Sequence, residues 1–368
     1  MAGTGLIGQG VLATYLARLL GSPVEIAALR ALGGGEEADP KGLGYGVPFE
    51  VECVVDGQRR SFVVSRTRPV QGFGHDYPAD RAWQAIYAHG AYNSFPRHAR
   101  SLDVGFMRDS GEVVSAGDAA EYFQLVEKAP GRLYWLDLDR MLREPALPLD
   151  CERARVLGSF LAAAHADKRV EPALYRRRVR ELVGHGECLM GILDSYPHPY
   201  ALLPERDCEA LERAAVGWRW KLRGRSHRLS RVHGDFHPWN LLFEEGAAFT
   251  VLDRSRGEWG EPADDVSALA INYLFFGLRK SGGAGVAEPF LSLFHNFFDA
   301  YLDGSGDREL LDVLPPFFMF RALVIAHPRW YPSLTDATRR VILDFARAMA
   351  EVPAFDPVRL PAPLGRAA

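Results

Sequence analysis

Apolar positions recur at helical spacing in VLATYLARLL (11–20) and then switch to alternation from Val24 onward. VEIAALRAL, GVPFEVECVV and RRSFVVSRT each read as a strand, and Asp56-Gly57 supplies the residues of a tight hairpin turn between the second and third. A helix over roughly Pro78 to Tyr92 follows, then a strand-rich stretch ending in EYFQLVEKAPGRLY, which Ala129-Pro130-Gly131 interrupts. Beyond that break the spacing is helical: ERARVLGSFLAAAHADKR, RRRVRELVGHGECLMGILDSY, the segment around CEALERAAVGWRWKL, and most of the chain after Asp264. The pattern predicts an α+β architecture, with a small β-rich N-terminal lobe (1–128) joined by a short hinge to a larger, mainly helical C-terminal lobe (129–368). Length agrees, because single cores stop growing near ~250 to 300 residues.

Two glycine clusters change this picture unequally. Between the first two strands lies GGGEEADPKGLGYG, in which Gly42, Gly44 and Gly46 alternate around Leu43 and Tyr45 and leave backbone N–H groups able to approach an anion closely. GTGLIGQG places Gly3, Gly5 and Gly8 at the spacing of a dinucleotide-binding turn, yet only two residues precede it. Without a strand feeding the turn, it reads as the lead-in to a helix.

Hydrophobic residues make up 48% and charged residues 24%, the balance of a folded globular chain rather than a disordered or fibrous one. A net charge of -4 excludes nucleic acid as the main partner, and the run RRRVR (176–180) reads as a solvated helix face. Cys53, Cys151, Cys188 and Cys208 lie far apart, without the short spacing of a zinc or redox site, and are expected as reduced thiols. No apolar run reaches the ~18 to 20 residues of a membrane span, and no secretory pattern opens the sequence. The expectation is a cytoplasmic protein that does not engage a membrane.

Chemistry concentrates in RVHGDFHPWNLLF (231–243) and its sequel EEGAAFTVLDRSRGEWGEPADD. NLLF and TVLD flank a turn in which Gly246 supplies a positive φ, so they pair as a hairpin; symmetric pairing sets Asn240 and Asp253 opposite each other at its open end. An amide oxygen and a carboxylate suit Mg²⁺, which keeps several waters and takes further oxygens from substrate phosphates. Asp235, upstream on the same turn, is the candidate general base, accepting or at least orienting the proton of an attacking hydroxyl.

HGDFHPWNLLF resembles the catalytic-loop pattern HGDxHxxN of the aminoglycoside phosphotransferase-like small-molecule kinases, and VLDRSRGEWGEPADDVSAL is similar to their second pattern, a strand ending in Asp before a Gly-x-Pro-x-x-Asp helix start. The resemblance extends more loosely over nearly the whole chain. It implies a protein-kinase-like two-lobe fold, with Asp235 as catalytic base, His233 as an orienting residue behind the loop, and Asn240 and Asp253 as Mg²⁺ ligands. It implies ATP between the lobes, its adenine against backbone near Gln124, Val126 and Glu127. Gly42, Gly44, Tyr45 and Gly46 of the hairpin, with Arg66, are then the candidates for the phosphates. The acceptor so implied is a hydroxyl of a small molecule: an aminoglycoside or other antibiotic, a sugar or an amino alcohol.

Some positions depart from the family pattern. FVVSRTR lacks the family's strand lysine; Arg66 and Arg68 share one strand face, and Arg66 is taken as the replacement although its fork is wider than an ammonium. The next helix, ADRAWQAIYAHGAY, offers Asp80 where a glutamate partner is expected, and Trp239 stands where a small residue is common and narrows the acceptor pocket. Of the neighbours, His237 reads as holding the loop, His165 as structural, Asp265 as a cap or a group fixing the loop from behind, and Asp264 as solvated. Two competing readings use the same residues: a metal-dependent hydrolase with His233, Asp235, His237 and Asp253 on zinc or manganese, and a pseudokinase that binds nucleotide for regulation.

Overall fold

The computed structural model describes residues 7–32 and 45–365. Within it the chain forms two compact units, Met1–Val126 and Glu127–Ala368. The fold is mixed, with many helices and small sheets.

The first unit runs α1 (Gln9–Leu20), β1 (Val24–Ala31), β2 (Gly46–Val55), β3 (Gln58–Thr67), α2 (Pro78–Ser94), β4 (Gly105–Met107) and β5 (Val113–Ser115). β1, β2 and β3 form one antiparallel sheet in that order. Its tightest turn lies at Asp56 and Gly57, with φ of 51° and 78°, the paired positive values that a two-residue hairpin turn needs to match strand twist. Alternation then buries Phe49, Val51, Cys53 and Val55 along one face of β2. Leu12 and Leu16, one helical turn apart on α1, pack with Phe49 and Val51 to make the core of this unit, and Phe62 and Val64 border it.

The strand expected through EYFQLVE is not formed: residues 116–131 belong to no helix or strand, and Phe123 and Leu125 are exposed. An apolar alternating run stays extended coil when no neighbouring strand edge takes up its N–H and C=O groups. The glycines Gly3, Gly5, Gly42 and Gly44 lie outside the described residues.

The second unit opens with β6 (Arg132–Leu133), α3 (Trp135–Arg140), α4 (Pro148–His165), α5 (Pro172–Gly184), α6 (Leu189–Asp194) and α7 (Glu205–Leu222). Then come four short strands, β7 (Ser230–Arg231), β8 (Leu241–Phe243), β9 (Phe249–Val251) and β10 (Trp259–Gly260). Four helices complete it: α8 (Pro262–Ser281), α9 (Phe290–Ser305), α10 (Leu310–Ala326) and α11 (Asp336–Glu351). β6, β8 and β9 make one small sheet, and β7 pairs with β10. Helix α8 is buried on nearly every side, which its composition allows because its middle turns, VSALAINYLFFGL, carry no charge.

Helix α10 contains Pro315 and Pro316, which remove two backbone donors from its interior. The carbonyl of Leu311, four residues before Pro315, is instead satisfied by the N–H of Phe355 at 2.8 Å. Among the described residues no helix is long and apolar enough to cross a membrane.

The RRRVR run departs in part from its expected solvated role, since Arg176 and Arg180 are exposed but Arg177 and Arg178 are not. Arg177 is buried and donates to Glu181 Oε1 at 2.6 Å; Arg178 donates to Glu181 Oε2 at 2.7 Å and also to the carbonyl of Arg256. Burying the stems of these arginines along α5 is tolerated only because each head finds an anion or a carbonyl.

Close packing of α4 on α9 depends on Gly158, where an added Cβ would overlap the carbonyl oxygen of Phe297 and sit 3.1 Å from Ala300 Cβ. Gly158→Ala is therefore expected to destabilise the second unit by about 1 to 3 kcal/mol, read as a lower urea midpoint at unchanged m-value.

Candidate functional site

The candidate loop, residues 232–240, is strung between β7 and β8. The hairpin after it has the anticipated symmetry: Leu241 pairs with Val251, Leu242 with Thr250 and Phe243 with Phe249. The ladder reaches one step further, with the N–H of Leu252 on the carbonyl of Asn240 at 2.8 Å, so Asp253 follows directly after the residue opposite Asn240. Arg153 of α4 holds the turn from outside, donating to the carbonyls of Gly246 at 2.8 Å and Glu244 at 2.9 Å while its guanidinium covers the Phe243 ring. Asp253 is exposed and has φ of 53°, a left-handed backbone that Asp tolerates better than most residues.

The loop itself is tied by a series of local hydrogen bonds. The carbonyl of Asp235 accepts from the N–H of His237 and from Asn240 Nδ2, both at 3.0 Å. With its amide nitrogen so employed, Asn240 has its side-chain oxygen left as an acceptor. His237 Nδ1 accepts from the N–H of Trp239 at 3.2 Å, which makes Nε2 the protonated nitrogen of the neutral ring, at 3.5 Å from Asp235 Oδ2. His233 Nδ1 accepts from the N–H of Asp235 at 3.2 Å and its Nε2 donates to the carbonyl of Leu252 at 2.8 Å. The imidazole of His233 thereby links the loop to the residue just before Asp253.

Beneath the loop lies Asp265, fully buried. Its Oδ2 accepts from the N–H of His233 at 2.7 Å and its Oδ1 from the N–H of Gly234 at 2.7 Å. His165 Nε2 stands 3.2 Å from the same carboxylate, and His165 Nδ1 is 2.9 Å from Tyr301 Oη. Burial pushes the Asp265 carboxyl up, but the His165 hydrogen bond, helped by the backbone N–H of His233, outweighs it and holds the group below the ordinary carboxylate range. Of the two readings open for Asp265, fixing the loop from behind is the one the contacts match; the cap of α8 is Glu261, whose side chain accepts from the N–H of Ala263.

Three charged residues that sequence reasoning missed or dismissed complete the site. Arg321 of α10 places Nη1 2.5 Å from Asp235 Oδ1 and Nη2 2.6 Å from Asp264 Oδ1, so Asp264 is paired rather than solvated. Arg256 Nη2 lies 3.6 Å from Asp235 Oδ2. Burial pushes the Asp235 carboxyl up, yet the Arg321 guanidinium, with help from His237 and Arg256, more than reverses this and holds it far below the usual range. The signal for Arg321 was present as one arginine inside the apolar run PPFFMFRALVIA, since a charge enters such a helix only when paired.

Trp239 stacks on Trp135 with ring centroids 6.2 Å apart and meets Tyr331 edge-on at 6.2 Å. The Tyr331 phenol is pushed up to about 12 by burial and by the nearby Asp235 charge. The zinc-hydrolase reading fails on geometry: both ring nitrogens of His233 are taken, and the described residues contain no group of three His, Cys, Asp or Glu able to hold a metal. An amide oxygen and an exposed carboxylate, those of Asn240 and Asp253, are donor types that suit Mg²⁺.

In the first unit, Arg66 lies opposite Val47 on β3 and is exposed, as is Arg68, whose N–H donates to the carbonyl of Tyr45 at 2.8 Å. The Tyr45 ring turns onto Phe73 and His75, with centroids at 5.9 Å and 4.8 Å. Gly46 begins β2, and Asp80 accepts from the N–H of Tyr77 at 2.8 Å at the start of α2. Gln124, Val126 and Glu127 are exposed and belong to no helix or strand.

A model of the phosphotransferase enzyme family, APH, matches residues 54–304. Among solved structures the chain is similar to a glucosamine kinase in complex with glucosamine, ADP and inorganic phosphate, at 17% identity and TM-score 0.41, covering 94% of this chain and 100% of that one. It is also similar to an ethanolamine kinase of Plasmodium vivax at 11% identity and TM-score 0.37, covering 90% and 82%. A third is the choline kinase of Streptococcus pneumoniae at 11% identity and TM-score 0.35, covering 93% and 98%. No curated protein matches the chain significantly.

The contacts of Asp265 define a test of the loop's support. Asp265→Ala leaves two buried N–H donors and His165 without their acceptor, so it is expected to cost about 3 to 5 kcal/mol by chemical denaturation.

Proposed function

The chain belongs to the APH phosphotransferase enzyme family, and from that membership we propose that it transfers the γ-phosphoryl group of ATP to a hydroxyl of a small molecule in a kinase-like two-lobe fold. What supports the finer reading is one arrangement. Asn240 and Asp253 come off adjacent rungs of a symmetric hairpin, while the Asn240 amide nitrogen is bonded to the backbone of Asp235. The loop and the hairpin that follows it thus offer two oxygen donors for a cation and a carboxylate for the acceptor.

In this reading Asn240 and Asp253 hold Mg²⁺, which when bound neutralises charge on the phosphates of the nucleotide. Asp235 accepts a hydrogen bond from the acceptor hydroxyl and fixes its direction of attack. Because Arg321 keeps this carboxylate ionised and weakly basic, it orients the hydroxyl in the ground state and takes the proton late, as a loose phosphoryl-transfer transition state permits. His233 and Asp265 contribute by fixing the loop, without touching substrate. Gly42, Gly44, Tyr45, Gly46 and Arg66 are proposed to meet the nucleotide phosphates, and Gln124, Val126 and Glu127 the adenine. Trp239 is proposed to border the acceptor.

Arg66, standing where the family places a lysine, favours a second reading in which nucleotide binds without transfer. A coupled ADP-release assay over sugars, amino alcohols and aminoglycosides separates the two: on the second reading ATP raises the melting temperature while no acceptor releases ADP. On the first, Asp235→Asn is expected to lower kcat about 100-fold or more with ADP affinity retained, whereas Asp253→Ala also weakens binding of the Mg²⁺-nucleotide. An Asp235→Asn variant that keeps most of its turnover shows that Asp235 neither orients nor deprotonates the hydroxyl.

A further inference from the structure

Helix α10 contributes one charge to the site, and it comes from a position outside the residues 54–304 that match the family. Arg321 has a side chain only 7% exposed, and its guanidinium reaches the loop at two points. Nη1 donates to Asp235 Oδ1 at 2.5 Å and Nη2 to the carbonyl of Gly234 at 3.1 Å; the second nitrogen also meets Asp264 Oδ1 at 2.6 Å. A planar fork that grips a side chain and the adjoining peptide together fixes both the position and the tilt of the carboxylate, which a single point charge does not do.

The two oxygens of Asp235 are consequently unequal. Oδ1 is gripped by Arg321 at 2.5 Å, while Oδ2 faces His237 Nε2 at 3.5 Å and Arg256 Nη2 at 3.6 Å. Oδ2 is the oxygen that remains to take a hydroxyl proton. We infer that Arg321 is the positioning residue of Asp235: it presents Oδ2 to the acceptor by holding Oδ1, and Asp264 in turn holds Arg321. This inference rests on the phosphotransferase reading, since it assigns a task to the residue placed at the centre of that reading.

A purely structural part for Arg321 has a different consequence. Buried ion pairs are commonly replaceable as a whole by apolar side chains of similar volume at little cost in stability, so stability alone gives no reason for the Arg321, Asp235 and Asp264 cluster to be ionic. The value of Arg321 lies in where it puts Asp235, and displacing a reacting group by about 1 Å costs on the order of 100-fold in rate.

The experiment compares the wild-type chain with Arg321→Lys, Arg321→Ala and Asp264→Asn. Mg²⁺-ATP is the probe, with water and the same acceptor panel as phosphoryl acceptors, and ADP affinity is measured by calorimetry alongside. Arg321→Ala is expected to lose about 100-fold in kcat with its ADP affinity unchanged, and to regain activity when millimolar guanidinium is added. Arg321→Lys restores a part of the rate, and Asp264→Asn loses less than Arg321→Ala. An Arg321→Ala variant with wild-type kcat overturns the inference, and so does a loss that guanidinium and lysine both fail to restore while melting temperature and ADP affinity fall together. A wild-type chain that binds ADP but releases none from ATP with any acceptor overturns the phosphotransferase reading and this inference with it; failure of the variants alone overturns only the role of Arg321.

Discussion

A buried carboxylate satisfied from three directions sets the geometry on which the rest of the second unit depends. Asp265 meets two consecutive backbone N–H groups of the loop and an imidazole from another helix. Each donor would be costly if left alone, and together they make the ionised acid the stable form even without water. It also occupies the first turn of α8, where the helix dipole favours negative charge. Loop, helix α8 and helix α4 are thereby locked into one arrangement, and α9 joins through the Tyr301 hydroxyl on His165.

What the sequence revealed was what adjacent residues decide among themselves. Alternation in GVPFEVECVV named it a strand, and in the structure that alternation buries Phe49, Val51, Cys53 and Val55 on one face of β2. The pair Asp56-Gly57 likewise named its turn, and the near-mirror spacing of NLLF and TVLD about Gly246 gave the hairpin register, with Leu252 rather than Asp253 opposite Asn240. Where local pattern misled, a missing partner was the cause. EYFQLVE alternates well enough for a strand, but no strand edge among the described residues pairs with it.

Charges were harder to read, because their meaning is set by partners remote in the chain. Arg321 and Asp235 are 86 residues apart, and nothing in the spacing of either announces the other. Asp264 looked like an ordinary solvated acid beside Asp265, yet the two point to opposite tasks, one to the guanidinium of α10 and one to the backbone under the loop. The arginines of α5 behave alike: Arg178 commits its guanidinium to Glu181 and to the carbonyl of Arg256. A charged residue in an amphipathic or apolar helix is therefore best read as a question about its partner.

The gap in α10 gives the segment beyond α11 a structural duty. Pro315 cannot supply the donor that Leu311 needs, and Phe355 supplies it from outside the helix while its ring packs on Phe294, Phe298 and Phe318. The first turns of the helix that bears Arg321 are thus completed by a residue far later in the chain, as a keystone closes an arch built before it was set. During synthesis α10 emerges with that socket empty, and the helix reaches its finished form only when this late stretch of chain folds back.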